Sequence, residues 1–195
     1  VVANGSTDDT TAFQAFVDAA QNTVTSGVHG RVMELPPGEI VISDTIDFEA
    51  FSGSILGFGQ SVSPAYAADP GKSTVIRWNG AANLPMFEFN DSGPLEIGHM
   101  RFEGKDAAKP SYAICFHSQT TGQGNNSRIH LHDLRIGRYQ WSSQGTNKGL
   151  VKTGIGWIGN NANNDQWFVE RVRIDYPSSY GVYLPNSQRV AERFD

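Results

Sequence analysis

Three segments of the chain repeat one arrangement of apolar and polar positions. Residues 95–102, 129–136 and 167–174 each carry two alternating apolar pairs separated by a two-residue gap. The apolar positions are Leu95, Ile97, Met100 and Phe102, then Ile129, Leu131, Leu134 and Ile136, then Trp167, Val169, Val172 and Ile174. Alternation with a period of two is typical of a strand that buries one face. Each segment therefore predicts two short strands joined by a hinge.

Each repeat also contains a third alternating piece. These pieces are Phe87–Phe89, Ile114–Phe116, Ile155–Trp157 and Val182–Leu184. Three short strands per repeat, joined by loops of uneven length, are typical of the stacked coils of a parallel β-helix. The pattern thus predicts an all-β chain, a parallel β-helix of about five coils over residues 30–195. We expect residues 1–195 to form a single domain.

One helix is predicted before the coils. The segment DDTTAFQAFVDAAQ opens with Asp8 and Asp9, whose carboxylates suit the positive end of a helix. The apolar residues that follow at helical spacing on one face are Phe13, Phe16, Val17 and Ala20. A helix over residues 8–22 is expected to cap the open end of the coil stack, where unpaired strand edges promote aggregation.

Composition narrows the possible partners. The 195 residues carry a formal charge of −5, which disfavours binding to nucleic acid. No apolar run approaches the length that crosses a bilayer, so no membrane partner is expected. Cys115 is the single cysteine, which rules out an internal disulfide. The chain begins at Val1 and stops abruptly at Asp195, and we expect it to be part of a longer β-helix.

The first segments of the chain resemble a known family. NGSTDDTTAFQAF followed by GRVMELPPGEIVIS is similar to the start of the pectate-lyase-like, right-handed β-helix superfamily, with Glu39-Ile40 where an aromatic residue often stands. The resemblance implies a right-handed parallel β-helix with an N-terminal helical cap, and a protein of the extracellular space or of a virion surface. It also implies a polysaccharide ligand, because the superfamily includes pectate lyases, polygalacturonases and phage tailspikes. It does not fix the chemistry, since one fold hosts many functions.

The catalytic residues of polygalacturonases are absent. The resemblance implies aspartates at positions that here hold Tyr112, Thr153 and Tyr180. The outward face of the same strands offers no pair of carboxylates for glycoside hydrolysis. That face reads Glu88, Cys115, Gly156 and Tyr183. Hydrolysis of this kind is therefore disfavoured for the coils within the chain.

A lyase requires different groups. It needs a cation to neutralise a uronate, a base for the sugar proton and an acid for the leaving oxygen. His117, Tyr180 and Lys152 are the predicted catalytic residues for such a β-elimination. The competing interpretation is that His117 and Lys152 are ordinary surface residues. No cofactor and no metal ion are expected.

An arginine recurs at one position of the repeat. The four copies are Arg77, Arg101, Arg135 and Arg173. Glu103 and Asp175 follow two of them by two residues, so one interpretation is a row of ion pairs. The other is a substrate-binding strip for anionic sugars, because guanidinium groups form paired hydrogen bonds with carboxylates and sulfates.

Aromatic side chains in a polar loop are further candidates for substrate binding. Tyr139 and Trp141 lie in the segment GRYQWSSQGTNK, between two predicted strands. Aromatic faces bordered by amides stack on sugars and hydrogen-bond to them. The alternative is that both rings fold back onto the coil.

Two histidines have the spacing of a metal site but a different predicted role. His130 and His132 lie on one strand face. Alignment of the repeats places His99, Asp133 and Arg171 in one hinge position and Gly98, His132 and Glu170 in the other. Opposite charges stacked from coil to coil predict a hydrogen-bonded ladder rather than a metal site.

Together these features predict a carbohydrate-active protein that binds an acidic polysaccharide, with lyase-type cleavage as one outcome. Because no complete catalytic set is visible, two alternatives stay open. One is a structural or adhesive module such as a tailspike segment, and the other is an inactive member of the family. A lyase is expected to be a monomer, and a spike a homotrimer along the helix axis.

Overall fold

A computed structural model describes residues 1–22, 31–60, 73–117, 126–137, 150–158, 163–185 and 188–194. Within these ranges it contains one α-helix, α1 (Thr10–Asn22), and a short 3-10 turn at Asp106–Ala108. The strands are β1 (Asn4–Asp8), β2 (Arg31–Glu34), β3 (Gly38–Ile42), β4 (Ile46–Glu49), β5 (Gly53–Leu56), β6 (Thr74–Trp78), β7 (Phe87–Asn90), β8 (Leu95–Glu103), β9 (Tyr112–His117), β10 (Ile129–Ile136), β11 (Thr153–Ile158), β12 (Asn163–Ile174), β13 (Tyr180–Tyr183) and β14 (Gln188–Phe194).

The strands form two sheets in which every described pairing is parallel. The first sheet runs β1-β3-β6-β8-β10-β12-β14, and β2 and β5 join it at β8. The second runs β13-β11-β9-β7-β4. From β7 onward the chain alternates between the second sheet and the first. The mostly-β class with parallel pairing is therefore confirmed.

The register of the first sheet follows the repeat read from the sequence. Leu134 pairs with Met100 on one side and with Val172 on the other. The predicted hinge appears at His99, Asp133 and Arg171, which have φ angles of 57°, 49° and 52°. This left-handed conformation is uncommon outside glycine, and it bends each strand at the same place. The half of β8 before the hinge pairs with β5, and the half after it pairs with β6.

The core lies between the two sheets. Alternate side chains of both sheets belong to one buried apolar cluster. Phe87 meets Phe102 edge-on with ring centroids 5.0 Å apart, and Phe116 meets Trp167 at 4.6 Å. These contacts join the second sheet to the first, and edge-to-face aromatic pairs add to the stability gained from burial.

Helix α1 packs against β4 and the same core. Phe13 and Val17 are fully buried, and the ring of Phe13 meets Phe87 at 5.4 Å. Phe16, expected on the same face, is exposed instead, because only a narrow stripe of the helix contacts the strands. Asp8 caps the helix through the amide of Thr10, whereas the Asp9 carboxylate accepts the amide of Val2. In the described part of the chain no helix has both the length and the apolar character needed to cross a bilayer.

Candidate functional site

The arginine row exists, but its central members are buried. Arg135 lies in register with Arg101 and with Arg173. Arg101 is 0% exposed and Arg135 2%, while the Arg173 side chain is 59% exposed. Arg101 Nη2 lies 2.9 Å from Glu103 Oε1, and Asp175 accepts bonds from Arg135 Nε at 2.9 Å and Arg173 Nε at 2.7 Å. Arg101 and Arg135 thus take part in buried ion pairs, as one interpretation of the row expected, and binding of a substrate by these arginines stays a prediction.

Arg77 does not share the register of the other three arginines. Strand β6 pairs with β8 so that Val75 lies opposite Arg101 and Arg77 lies opposite Glu103. Arg77 Nη2 lies 2.6 Å from Glu39 Oε1 and 3.7 Å from Glu103 Oε2. The alignment of the sequence repeats was therefore wrong by two residues at this strand. Arg77 instead lines a separate cleft of about 520 Å³.

The hinge of the first sheet carries the predicted ladder of polar side chains. His132 lies opposite Gly98 and Glu170, in agreement with the alignment. His132 Nδ1 is 2.9 Å from Asp133 Oδ2, and its Nε2 is 3.0 Å from Glu96 Oε1. The absence of a side chain at Gly98 makes room for this ring, since a Cβ there would lie 2.5 Å from it.

Arg171 extends the ladder to the next strand. It donates two hydrogen bonds to Asp133, at 2.8 and 2.9 Å, and its Nη1 lies 3.1 Å from Glu170 Oε2. These bonds hold the pKa of Asp133 well below its usual range. His130 Nε2, 3.1 Å from Glu170 Oε1, lowers the pKa of that carboxyl. The ladder thus links β8, β10 and β12 on the surface of the sheet.

A second group of polar side chains lies on the outer face of the second sheet. Between the buried core positions, two rows of residues run across the strands. The first row is Asp47, Glu88, Cys115, Gly156 and Tyr183. The second row is Glu49, Asn90, His117 and Ile158. We call Asp47, Glu49, Glu88, Asn90 and His117 the carboxylate cluster.

The cluster contains the carboxylate pair that the sequence alignment missed. Asp47 on β4 pairs directly with Glu88 on β7. Neighbouring strands lie about 4.8 Å apart, close to the roughly 5 Å between the carboxyl groups of retaining glycosidases. The alignment began at β7, so it compared Glu88 only with later repeats. The alternation of Ile46 and Phe48 is a signal that could have extended the alignment back to β4 and placed Asp47 in the row.

The environment of Asp47 favours a bound proton. Its pKa is raised from 3.8 to about 6, first by loss of solvation and then by repulsion from Glu88, Glu49, Asp44 and Asp18. The side chain still reaches solvent, so it exchanges protons freely. A carboxyl group that titrates near neutral pH is suited to act as a general acid.

His117, one of the predicted catalytic residues, is held by the same cluster. Its Nδ1 lies 2.7 Å from Glu88 Oε1, and both side chains are partly exposed. Beside this pair, Asn90 Nδ2 donates to Glu49 Oε1 at 2.7 Å. A histidine oriented by a carboxylate has the arrangement of a general base. The structure therefore brings together one predicted residue and three carboxylates that sequence reasoning had not combined.

The other end of the face is aromatic. The rings of Tyr180 and Tyr183 stack with centroids 4.7 Å apart, and both are exposed. The Tyr112 ring fills the space above Gly156, where a Cβ would lie 2.1 Å from it. Tyr180 is thus placed away from His117, in a stacking position. Lys152 donates a hydrogen bond to Asn83 and is not part of the carboxylate cluster.

Cys115 separates the two ends without taking part in either. The side chain is fully buried, and burial raises the pKa of the thiol far above its ordinary range. A thiol in this state is a weak nucleophile.

Tyr139 and Trp141, predicted to stack on sugars, lie outside the described residues.

The outer face of the second sheet thus carries the carboxylate cluster at one end and the stacked rings of Tyr180 and Tyr183 at the other. Searches against protein-family models, curated proteins and solved structures find no match to this chain.

Proposed function

We propose that the two sheets are the walls of a right-handed parallel β-helix of about five coils, capped by α1. The alternation of the chain between the sheets from β7 to β14 supports this architecture. Parallel strands of one sheet joined through a crossover are right-handed in about 98% of cases, which supports the handedness. In this arrangement the outer face of the second sheet is a long, regular surface on one side of the stack.

We propose further that this face binds a polysaccharide and that the carboxylate cluster cleaves it. The observation that carries the proposal is the pairing of Asp47 with Glu88, with His117 hydrogen-bonded to Glu88 on the next strand. Two carboxyl groups on neighbouring strands provide the acid and the second carboxylate that glycoside hydrolysis requires. The exposed rings of Tyr180 and Tyr183 then provide apolar platforms for sugar units further along the chain.

Each group has a distinct role in this reaction. Asp47, with its raised pKa, donates the proton to the leaving oxygen. Glu88 faces the anomeric carbon or activates water, and His117 fixes its orientation through the 2.7 Å contact. The exposed Glu49 lies beside them and bonds sugar hydroxyls, and the buried Asn90 orients its carboxylate through the 2.7 Å hydrogen bond.

The charge of the face favours a neutral glycan over a polyuronate. The carboxylate cluster holds three carboxylates, and the two central arginines of the row are buried. A polyanion approaching Asp47 and Glu88 meets repulsion. The predicted β-elimination of an acidic polysaccharide by His117 is therefore kept as the second candidate, favoured only by the orientation of His117.

A panel of neutral glycans and polyuronates separates these functions. Hydrolysis releases new reducing ends without ultraviolet absorbance, whereas β-elimination produces an absorbing unsaturated sugar. We expect reducing ends only, lost in Asp47→Asn and Glu88→Gln and retained in the exposed control Glu34→Gln. Absorbing product from a polyuronate, lost in His117→Ala, would favour the lyase.

The non-catalytic alternative is tested on the same samples. A silent panel together with binding to a glycan, weakened by Tyr180→Ala, would leave a binding module. A homotrimer in solution, measured by light scattering, would favour a spike-like role over a monomeric enzyme.

A further inference from the structure

We propose that the ladder on the first sheet is the metal-free form of a binding site for a zinc-type divalent ion, held by Glu96, His130 and His132. This site is distinct from the carboxylate cluster, which lies on the other sheet. The ligand atoms of the three residues all lie within 4.8 Å of one another. Two imidazoles and one carboxylate form a ligand set that zinc prefers and that nickel and copper also accept.

The spacing of the ligands suits a small ion. His132 Nε2 and Glu96 Oε1 are 3.0 Å apart, and the rings of His130 and His132 have centroids 4.5 Å apart. Bonds of about 2.0–2.1 Å in a tetrahedron place neighbouring ligand atoms about 3.3 Å apart. Small rotations of the side chains are therefore enough to replace the hydrogen bond between His132 and Glu96 by two bonds to the ion.

The outer contacts of the ligands resemble those of metal sites. His132 Nδ1 lies 2.9 Å from Asp133 Oδ2, which leaves Nε2 to face the ion. A carboxylate on the far nitrogen orients a metal-binding imidazole and makes it a stronger ligand. Ser54 holds the second oxygen of Glu96 through a 2.6 Å hydrogen bond, and Glu170 adds an acidic oxygen beside His130. The three ligands are thus supported from β5, β10 and β12.

A neighbouring group, His99 with His132 and Asp133, also has ligand atoms within 4.8 Å of one another. Asp133, however, accepts both hydrogen bonds of the Arg171 guanidinium. An ion there would have to displace that cation or lie beside it, which costs electrostatic energy. Glu96 and His130 have no guanidinium bonded to them among the described contacts, so the site is assigned to them.

Two of the three assigned ligands, Glu96 and His130, are open to solvent on one side, and His132 lies buried behind them. Glu96 and His130 line a groove of about 460 Å³, together with Ser54 and Arg128. An ion therefore enters without unfolding of the sheet. Three protein ligands leave a fourth position for water that faces the groove. The bound ion would join β8 to β10 where the strands bend.

The test is a titration of the metal-free chain with Zn²⁺ against a chromophoric indicator. We expect one ion per chain, and binding weakened roughly tenfold or more by Glu96→Gln and by His130→Ala. These two side chains are 37% and 39% exposed, so their replacement leaves the core intact. His117→Ala, a histidine on the other sheet, serves as the matched control and is expected to bind as the unmodified chain does.

Two further variants separate this site from its neighbour. His99→Ala is expected to retain zinc binding. If this variant no longer binds zinc, the ion belongs to the neighbouring group and the assignment is overturned. Asp133→Asn is expected to weaken zinc roughly tenfold and to shift the visible absorbance of the cobalt-loaded chain, which a purely structural role would not do. The proposal is also overturned if the unmodified chain binds no zinc, or if Glu96→Gln and His130→Ala bind it unchanged.

Discussion

Asp47 and Glu88 occupy paired positions on neighbouring strands, although 41 residues separate them along the chain. Their carboxyl groups share one face with Glu49, and their mutual repulsion contributes to the raised pKa of Asp47. Like charges placed side by side reduce stability, so a chain selected for stability alone gains nothing from this arrangement. Such unfavourable pairs are common at functional sites, which supports the proposal that Asp47 and Glu88 take part in catalysis.

Replacement of Asp47 is expected to stabilise the protein at neutral pH. The folded chain binds the Asp47 proton more tightly than the unfolded chain, so this group's contribution is most favourable at low pH and is lost as the pH rises from 3.8 through about 6. Because solvent screens this exposed side chain, the expected gain is about 1 kcal/mol, or about 2–4 °C in melting temperature.

The measurement compares thermal unfolding of Asp47→Asn with the unmodified chain across this range. The variant should melt higher at about pH 7.5 and at the same temperature at about pH 4. Glu34→Gln, on β2 and exposed, should show neither effect. A melting temperature lowered by Asp47→Asn at every pH would contradict the repulsion between Asp47 and its acidic neighbours.

Removal of a buried arginine is expected to destabilise the fold without affecting glycan binding. Arg135→Ala leaves the buried Asp175 with less compensation, and loss of one partner of a buried ion pair costs about 3–5 kcal/mol. Arg173→Ala removes an exposed partner of the same carboxylate and should cost less than about 1 kcal/mol. Urea unfolding of the two variants measures the difference.

The same arginines provide a direct test of the strip for anionic sugars. A folded Arg101→Ala, Arg135→Ala double variant is expected to bind polyuronates as the unmodified chain does, because neither guanidinium reaches the surface. Weaker binding to polyuronate with unchanged binding to neutral glucan would show that the arginine row binds anionic sugars.

Gly98 is expected to tolerate no side chain, because His132 occupies the adjacent space. A Cβ at Gly98 would lie 2.5 Å from the His132 ring, whereas a Cβ at Gly181 meets only Ile174, at 3.9 Å. Overpacking of this kind costs about 1–3 kcal/mol. Gly98→Ala should therefore lower the free energy of unfolding by that amount, and Gly181→Ala should change it by less than about 0.5 kcal/mol. Equal effects in the two variants would mean that the ring moves aside freely.

The pairing of Asp133 with Arg171 is expected to give an acid-sensitive contribution to stability. The pKa of Asp133 is lowered in the folded chain, so the contribution is present above 3.8 and is lost as the pH falls below it. Arg171→Gln should melt lower than the unmodified chain at neutral pH, and the gap should narrow steadily as the pH falls below 3.8. Arg171→Lys should recover only part of it, since an ammonium cannot bond both oxygens in the same geometry. A gap that is constant with pH would assign the effect to packing.

Much of the fold followed from periodicity. The alternating pairs at residues 129 and 131 and at residues 134 and 136 predicted the strands, and the gap between the pairs predicted the hinge. A slip of one residue would turn every apolar side chain of such a strand outward. The register in the three aligned repeats is therefore determined by burial. The polar ladder followed from the same alignment, since residues in equivalent hinge positions lie opposite one another.

A shift of two residues leaves no such trace, and this explains the error at Arg77. Residues two apart lie on the same face of a strand, so an alignment that places Arg77 beside Arg101 satisfies the hydrophobic pattern as well as the true register does. Only the pairing of β6 with β8 places Val75 there instead. The alignment matched arginine to arginine at a strand where the hydrophobic pattern does not distinguish between the two registers.

The sequence by itself determined the parallel strands, the hinge and the ladder, because these depend on which side chains must leave water. Only the tertiary structure decided that Arg101 and Arg135 are buried, since the exposure of an outward side chain depends on what covers it from elsewhere in the chain. The tertiary structure also decided that Glu88 pairs with Asp47 on one neighbouring strand and contacts His117 on the other. These polar groups are neighbours because distant strands pair, and no local pattern of hydrophobicity indicates which polar residues will lie side by side.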